Sequence, residues 1–262
     1  MSAITAGREP EAVLLRARLR DRDCGRVLDL GCGDGRLMRL LAGVCPCYSQ
    51  IIAVDSDRDA LDEARRSVLP PRVKLLRAGG EALPFADRSF ETATIGDALH
   101  HVRDPLRVLH ELRRVVAPGG LVVISETVRL AGTPAQATAV RLHHFKARVD
   151  ARCGVRHRRT LSHSELRRLV GRVFSGDERE AYLAAGPAVE PAEQQAATHA
   201  RRLREYLEAL RNDARYPVLC AAGAKLAGRV AATGYTPAPR SVMFVRISSA
   251  VRRHEGSPYG NT

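Results

Sequence analysis

Three groups of residues in this 262-residue chain combine types and spacings that chemistry can use. The first is the loop Gly31-Cys32-Gly33-Asp34-Gly35, preceded by Asp29 and followed, 20 residues past Gly35, by Asp55. Glycines let the main chain take positive φ and approach a ligand closely. The third glycine of a dinucleotide-binding G-x-G-x-x-G loop would fall at Arg36, and Asp29 would repel a pyrophosphate, so NAD and FAD are disfavoured. An acid at the position of Asp55 can accept from two ribose hydroxyls, and Asp29 suits a cationic ligand. A ribose, a positive charge and no phosphate together describe S-adenosylmethionine.

The second group is Asp97, His100, His101 and Glu126, titratable side chains at the ends of two expected strands. They are candidates for moving a proton off a bound reactant, a task for which geometry comes before pKa. The third is the basic stretch 129–172, with eleven Lys and Arg against Asp150 and Glu165, and with His143, His144, His157 and His163. His143, His144 and Arg148 fall at helical spacing, and Arg156-His157-Arg158-Arg159 is the densest cluster. No regular metal-ligand spacing with carboxylates appears, so no metal is expected.

Elements must position these groups. Short apolar runs at 26–30, 51–54, 73–76, 91–95 and 121–125 read as buried strands. Helical patterns alternate with them at 11–20, 37–41, 60–68 and 106–116. Ser56 or Asp57 can cap the third of these helices, and Asp104-Pro105 caps the fourth. Strands alternating with helices imply a doubly wound, mostly parallel α/β sheet with helices on both faces. Beyond Glu126 the rhythm changes. Helices are expected over 135–149, 164–170, 193–211 and 217–232, with a strand within 174–183 and another at 241–247.

In this setting the residues are more specific. Val27-Leu28-Asp29-Leu30-Gly31-Cys32-Gly33-Asp34-Gly35 resembles motif I of the class I S-adenosylmethionine-dependent methyltransferases. Gly80-Glu81-Ala82-Leu83-Pro84-Phe85, Ser89-Phe90-Glu91, Leu99 to Pro105 and Ala117-Pro118-Gly119-Gly120 follow in the family's order. The resemblance covers roughly residues 8–126 and is closest to the small-molecule and ubiquinone/menaquinone-type subgroup. It implies a Rossmann-like fold, S-adenosyl-L-methionine as cofactor and methyl transfer as activity. Gly31, Cys32, Gly33 and Gly35 would surround the methionine part, with Asp29 attracting its ammonium. Asp55 and Ser56 would hold the ribose. Gly79 stands where relatives commonly place an adenine-binding Asp, so Gly80 and Glu81 would supply that contact. Asp97 would lie between cofactor and substrate, with Asp97, His100 and His101 as catalytic candidates. Glu126, His143, His144, Arg148 and Arg156 would face the acceptor.

Charge sharpens the division. The chain carries 42 Lys and Arg against 29 Asp and Glu, a net of +13, and 39 of the basic residues are Arg. Residues 1–125 hold only +2 of this and residues 126–262 hold +11. The excess thus falls where the acceptor should be chosen, which fits a small, anionic metabolite as well as a solvated charged face. An RNA partner would also suit the charge, but Phe145 is the only aromatic residue in the basic stretch and the chain has no Trp, so stacking on bases is poorly served. RNA therefore ranks below a small molecule. No run reaches the roughly 18 apolar residues of a membrane span, and no secretory signal is visible. A cytoplasmic protein with reduced thiols is expected, Cys45-Pro46-Cys47 being loop thiols. The expected organisation is an N-terminal helix covering the site (1–24), a cofactor-binding core (25–126), a helical substrate lid with one core strand (127–235), the last strand (236–250) and a disordered tail (251–262).

Overall fold

The computed structural model describes residues 6–67, 69–186, 192–211 and 217–249. The expected tail lies outside them. In chain order the elements are β1 (Ala6–Pro10), α1 (Glu11–Leu19), β2 (Arg26–Leu30), α2 (Arg36–Val44), β3 (Gln50–Asp55), α3 (Arg58–Arg66), β4 (Val73–Arg77), β5 (Phe90–Gly96), α4 (Pro105–Val115) and β6 (Val116–Thr127). Then come α5 (Pro134–Arg152), α6 (His163–Val173), β7 (Glu178–Ala185), α7 (Ala192–Arg211), α8 (Pro217–Thr233) and β8 (Arg240–Arg246).

The strands form one sheet in the order β1-β7-β8-β6-β5-β2-β3-β4. All neighbours are parallel except β8, which runs antiparallel to both β6 and β7. This is the expected doubly wound α/β fold, with β1 as an added edge strand ahead of the expected N-terminal helix. The order reverses between β2 and β5, and ligands of such sheets sit outside the carboxyl ends of the strands at that switch point.

Side-chain alternation explains why both faces are covered. Leu28, Leu30, Val122, Ile124, Met243 and Val245 point to one face, where α4 and α6 pack with Leu109, Leu112, Leu166 and Val170. Val27, Leu121, Val123, Val242 and Phe244 point to the other, against Leu15 and Leu19 of α1 and Leu37, Met38 and Leu41 of α2. Helix α6, assigned from sequence to the lid, is thus a core helix. Ser162 and Glu165 close a capping box at its start, worth about 1 kcal/mol. The helical lid is narrower: Phe145 and Val149 of α5, Leu203 of α7 and Leu219 and Leu226 of α8 form a separate apolar cluster.

Local signals operate as read. Asp57, rather than Ser56, caps α3 by accepting from Asp59 N. Asp104 caps α4, accepting from Leu106 N and Arg107 N, with Pro105 in the first turn. The cysteines differ from expectation. Cys24 and Cys45 are joined by a disulfide, while Cys32, Cys47, Cys153 and Cys220 are free. A parallel bridge between Asp23 and Cys47, with Cys24 N donating to Cys47 O, aligns the two segments and brings the pair together. No helix among the described residues is long and apolar enough to cross a membrane.

Candidate cofactor and acceptor site

The turn after β2 is built for close approach. Gly31, Gly33 and Gly35 all have positive φ. A Cβ on Gly31 would lie 2.5 Å from the Ala98 Cβ, whereas one on Gly33 would meet nothing within 4 Å. The first glycine is therefore demanded by packing, and the second leaves space open for a ligand. Asp55, at the end of β3, accepts from Gly33 N and Asp57 N, each at 2.9 Å. Its carboxylate fixes the glycine turn and keeps lone pairs for a further donor.

A cavity of about 950 Å³ opens here. Gly31, Cys32, Gly33, Asp55 and Ser56 line one end, Gly79, Gly80 and Glu81 a side wall, and Asp97, His101, Val155 and Arg156 the other end. Eleven of the expected positions thus share one space, and Gly35 closes the turn as the residue before α2. The Glu81 carboxylate is partly engaged, accepting from Asp104 N at 2.7 Å. Burial, reinforced by Asp29 and Asp55, pushes the Cys32 thiol up, so this side chain packs and does not act as a nucleophile.

Two expected ligand contacts are structural supports instead. Asp29 is buried within β2 and does not line the cavity. Its Oδ1 accepts from Thr94 Oγ1 at 2.6 Å, and burial raises its pKa to about 7 despite that bond. Glu126 is also buried. It accepts from Ala98 N and Leu99 N at 2.9 Å each and meets His100 Nδ1 at 3.0 Å. With both oxygens occupied, it shapes the turn after β5 and has no face for an acceptor.

Asp97 has φ 51°, and its Oδ1 accepts from Thr127 N at 2.8 Å. Arg240, only 1% exposed on β8, donates to Asp97 Oδ2 at 2.5 Å and to Ser125 O at 2.7 Å. It also lies 3.4 Å from Glu11, which binds Arg36 at 2.7 Å. Burial opposes ionisation of Asp97, but the charge of Arg240 and its hydrogen bond hold the pKa at about 2. Sequence reading overlooked Glu11, Arg36 and Arg240. A cation at the head of an otherwise apolar strand was the available signal for Arg240, but its partners lie on three distant elements.

The histidines gather tightly. His100 is buried in the turn after β5, and the adjacent His101 lines the cavity with Nδ1 3.3 Å from Arg156 O. His143 on α5 and His157 in the following loop approach at 3.0 Å through their Nε2 atoms, and His157 Nδ1 meets Asp150 Oδ2 at 2.7 Å. Burial, followed by the neighbouring His100 and His157, lowers His143 to about 3 and His101 to about 4, whereas Glu126 raises His100 against the effect of its burial. His144 departs from this group and meets Thr160 Oγ1 at 3.1 Å. His100, His143 and His144 do not line the cavity, and Arg148 is exposed and lines no part of it either.

Part of the basic stretch is consumed internally. Arg129 pairs with Glu165, Lys146 with Asp150 at 2.7 Å, and Arg158 donates to Arg103 O at 2.6 Å. Arg156 alone of the 156–159 cluster lines the cavity.

Known proteins place the glycine-loop half in a family. Residues 28–124 match the methyltransferase domain family. An uncharacterised 37.1 kDa protein in transposon TN4556 of Streptomyces fradiae is 35% identical over 127 residues, which is 48% of this chain and 36% of that protein. The demethylmenaquinone methyltransferase of Lysinibacillus sphaericus is 36% identical over 103 residues, 39% of this chain and 44% of that protein. The chain thus spans less than half the length of these curated relatives. A putative methyltransferase from Bacillus halodurans shares the fold at a TM-score of 0.59 and 17% identity, covering 91% of this chain and 99% of its own. Residues 28–124 thus match a methyltransferase domain, and the chain as a whole shares the fold of the Bacillus halodurans protein.

Proposed function

We propose that the whole chain transfers the methyl group of S-adenosylmethionine to a small acceptor seated between the turn after β5 and the loop following α5. The observation that carries this reading is the continuity of the cavity. One space runs from the glycine turn and Asp55 to Asp97, His101, Val155 and Arg156, and its roughly 950 Å³ is at the upper end of small-molecule sites.

When bound, S-adenosylmethionine supplies a methyl group on a positively charged sulfur that departs as a neutral thioether. The chain's work is alignment, and holding two reactants in line contributes about 7–11 kcal/mol to such a displacement. Asp55 offers lone pairs for ribose hydroxyls, and Gly33 leaves the turn bare for close approach. The bond from His101 Nδ1 to Arg156 O leaves Nε2 as the acceptor nitrogen, placed to take the proton of a hydroxyl or amine as its bond to carbon forms. Arg156 favours an acceptor with a negative group, and exposed Val155 provides an apolar wall. The demethylmenaquinone methyltransferase relative matches the cofactor half only, so its substrate is not carried over.

Calorimetry with S-adenosylmethionine tests the first half of the reading. Binding in the range of about 1 μM to 1 mM is expected, and no heat of binding overturns it. Transfer from methyl-labelled cofactor to a panel of small phenols and aromatic acids tests the second half. Label on RNA but on none of the small acceptors overturns the acceptor assignment.

A further inference from the structure

We infer that His100, His143 and His157 form a binding site for a divalent zinc ion, adjoining the acceptor end of the cavity. The expectation of no metal rested on spacing along the chain. The fold overrides it by drawing the three rings from a turn, a helix and a loop. One ring nitrogen from each lies within 4.8 Å of the other two.

Three observations make this more than a group of packed rings. His100 Nδ1 meets Glu126 Oε2 at 3.0 Å, and His157 Nδ1 meets Asp150 Oδ2 at 2.7 Å. An ionised carboxylate only accepts, so each ring carries its hydrogen on Nδ1 and turns Nε2 into the lone-pair nitrogen. A carboxylate behind a ring is the usual support of a metal-ligating histidine. His143 Nε2 lies 3.0 Å from His157 Nε2. Two nitrogens on one tetrahedral zinc, each at about 2.0–2.1 Å, stand about 3.4 Å apart. These two rings therefore need to part by only a few tenths of an ångström, while the His100 nitrogen, within 4.8 Å of both, closes in on the ion.

The donor set selects the ion. Three imidazoles without sulfur or a ligating carboxylate suit zinc, and three protein ligands leave a fourth position for water or substrate. Magnesium demands oxygen and is disfavoured. His101 lines the cavity and packs at a tilt against both His100 and His157, with ring centroids 4.3 and 4.2 Å away. The ion would thus sit one ring removed from the acceptor. Glu126 and Asp150 balance its charge.

The experiment uses the untagged full chain, stripped with chelator and titrated with zinc against a chromogenic competitor. One equivalent per chain with sub-micromolar affinity is expected. Cobalt in its place should give the intense visible bands of four- or five-coordination, and magnesium should not compete. His143→Ala should weaken zinc at least 100-fold, Asp150→Asn 10- to 100-fold through the ring it supports, and His110→Ala, at an exposed position of α4, should change nothing. Weak or non-stoichiometric binding by the wild-type chain overturns the inference without recourse to any variant. So does an octahedral cobalt spectrum or undiminished zinc affinity in folded His143→Ala. The inference does not rest on the methyl-transfer reading, since zinc is measured directly and cofactor binding separately by calorimetry.

Discussion

Arg240 Nη1 lies 2.5 Å from Asp97 Oδ2, joining the last strand of the sheet to the turn after β5 across 143 residues of chain. The same guanidinium reaches Ser125 and Glu11, so one buried cation holds together three elements around the cavity. Removing it takes the counter-charge from Asp97, whose side chain is 38% exposed, and leaves buried Glu11 with Arg36 as its partner. Arg240→Ala should cost about 1–3 kcal/mol in urea unfolding. Pairing it with Glu11→Gln should cost less than the two single changes added together, because the two side chains share one contact that either change already removes.

Asp55 holds the glycine turn and is the carboxylate proposed to accept from the ribose. Asp55→Ala should weaken S-adenosylmethionine by about 1.5–3 kcal/mol, or tenfold to a hundredfold, in calorimetry. Unaltered affinity would remove Asp55 from the site.

The two glycines of the turn should respond differently to the same substitution. Gly31→Ala brings its Cβ to 2.5 Å from Ala98 at φ +66°, so both fold stability and cofactor binding should fall. Gly33→Ala meets no atom within 4 Å. Its stability loss should be limited to about 1–2 kcal/mol for the left-handed backbone, while the methyl group intrudes on the ligand space. Melting curves with and without cofactor separate the two.

Asp29 gives the fold a pH dependence of unusual sign for a carboxylate. Its folded pKa of about 7 lies above the usual aspartate value near 3.8, chiefly because of burial, with Asp55 adding to the rise and Thr94 and Arg36 opposing it. The folded state therefore holds a proton that the unfolded state releases. This contribution is complete below about pH 3.8 and is lost as pH rises through 7. Between pH 5 and 8 the loss amounts to about 3 kcal/mol. Asp97, held near 2, stays ionised throughout that window. Asp29→Asn should accordingly be more favourable relative to wild type at pH 8 than at pH 5, by denaturant unfolding at each pH. Equal differences at the two would refute the assignment.

His101 touches the cavity and tests the acceptor half. His101→Gln should reduce methyl transfer about 10²- to 10⁴-fold if Nε2 takes the acceptor's proton, with S-adenosylmethionine affinity unchanged. An unchanged rate would leave His101 a wall residue only.

Much of the scaffold was legible because its signals are local. The runs at 26–30 and 51–54, the Asp104-Pro105 cap and the glycine turn each carry their reason within a few residues, and the structure places them as read. What escaped depends on partners far along the chain. Arg240 finds Asp97 and Glu11 only after β8 inserts between β6 and β7. The helical pattern at 164–170 announced α6, but whether that helix faces lid or core is decided by the sheet face it meets. Glu126 looked like an acceptor ligand because of its position after β6's apolar run. Its two oxygens are spoken for by backbone donors and a ring that only the folded turn brings near. The disulfide failed the sequence test for the same reason, since compartment and spacing say nothing of a bridge made by Asp23 and Cys47.

The loop after α5 is fastened to the cofactor half by three bonds: Arg158 N to His100 O at 2.9 Å, His101 Nδ1 to Arg156 O at 3.3 Å, and Arg158 Nη2 to Arg103 O at 2.6 Å. Every acceptor among them is a main-chain carbonyl, which all twenty residue types provide. The joint therefore tolerates substitution of Arg156, whose carbonyl it uses but whose side chain it ignores. On the proposed methyl-transfer reading, a change of preferred acceptor can be reached by single replacements at 155 and 156, without disturbing the glycine turn. On that reading, selection can rewrite what is modified while leaving untouched what it is modified with.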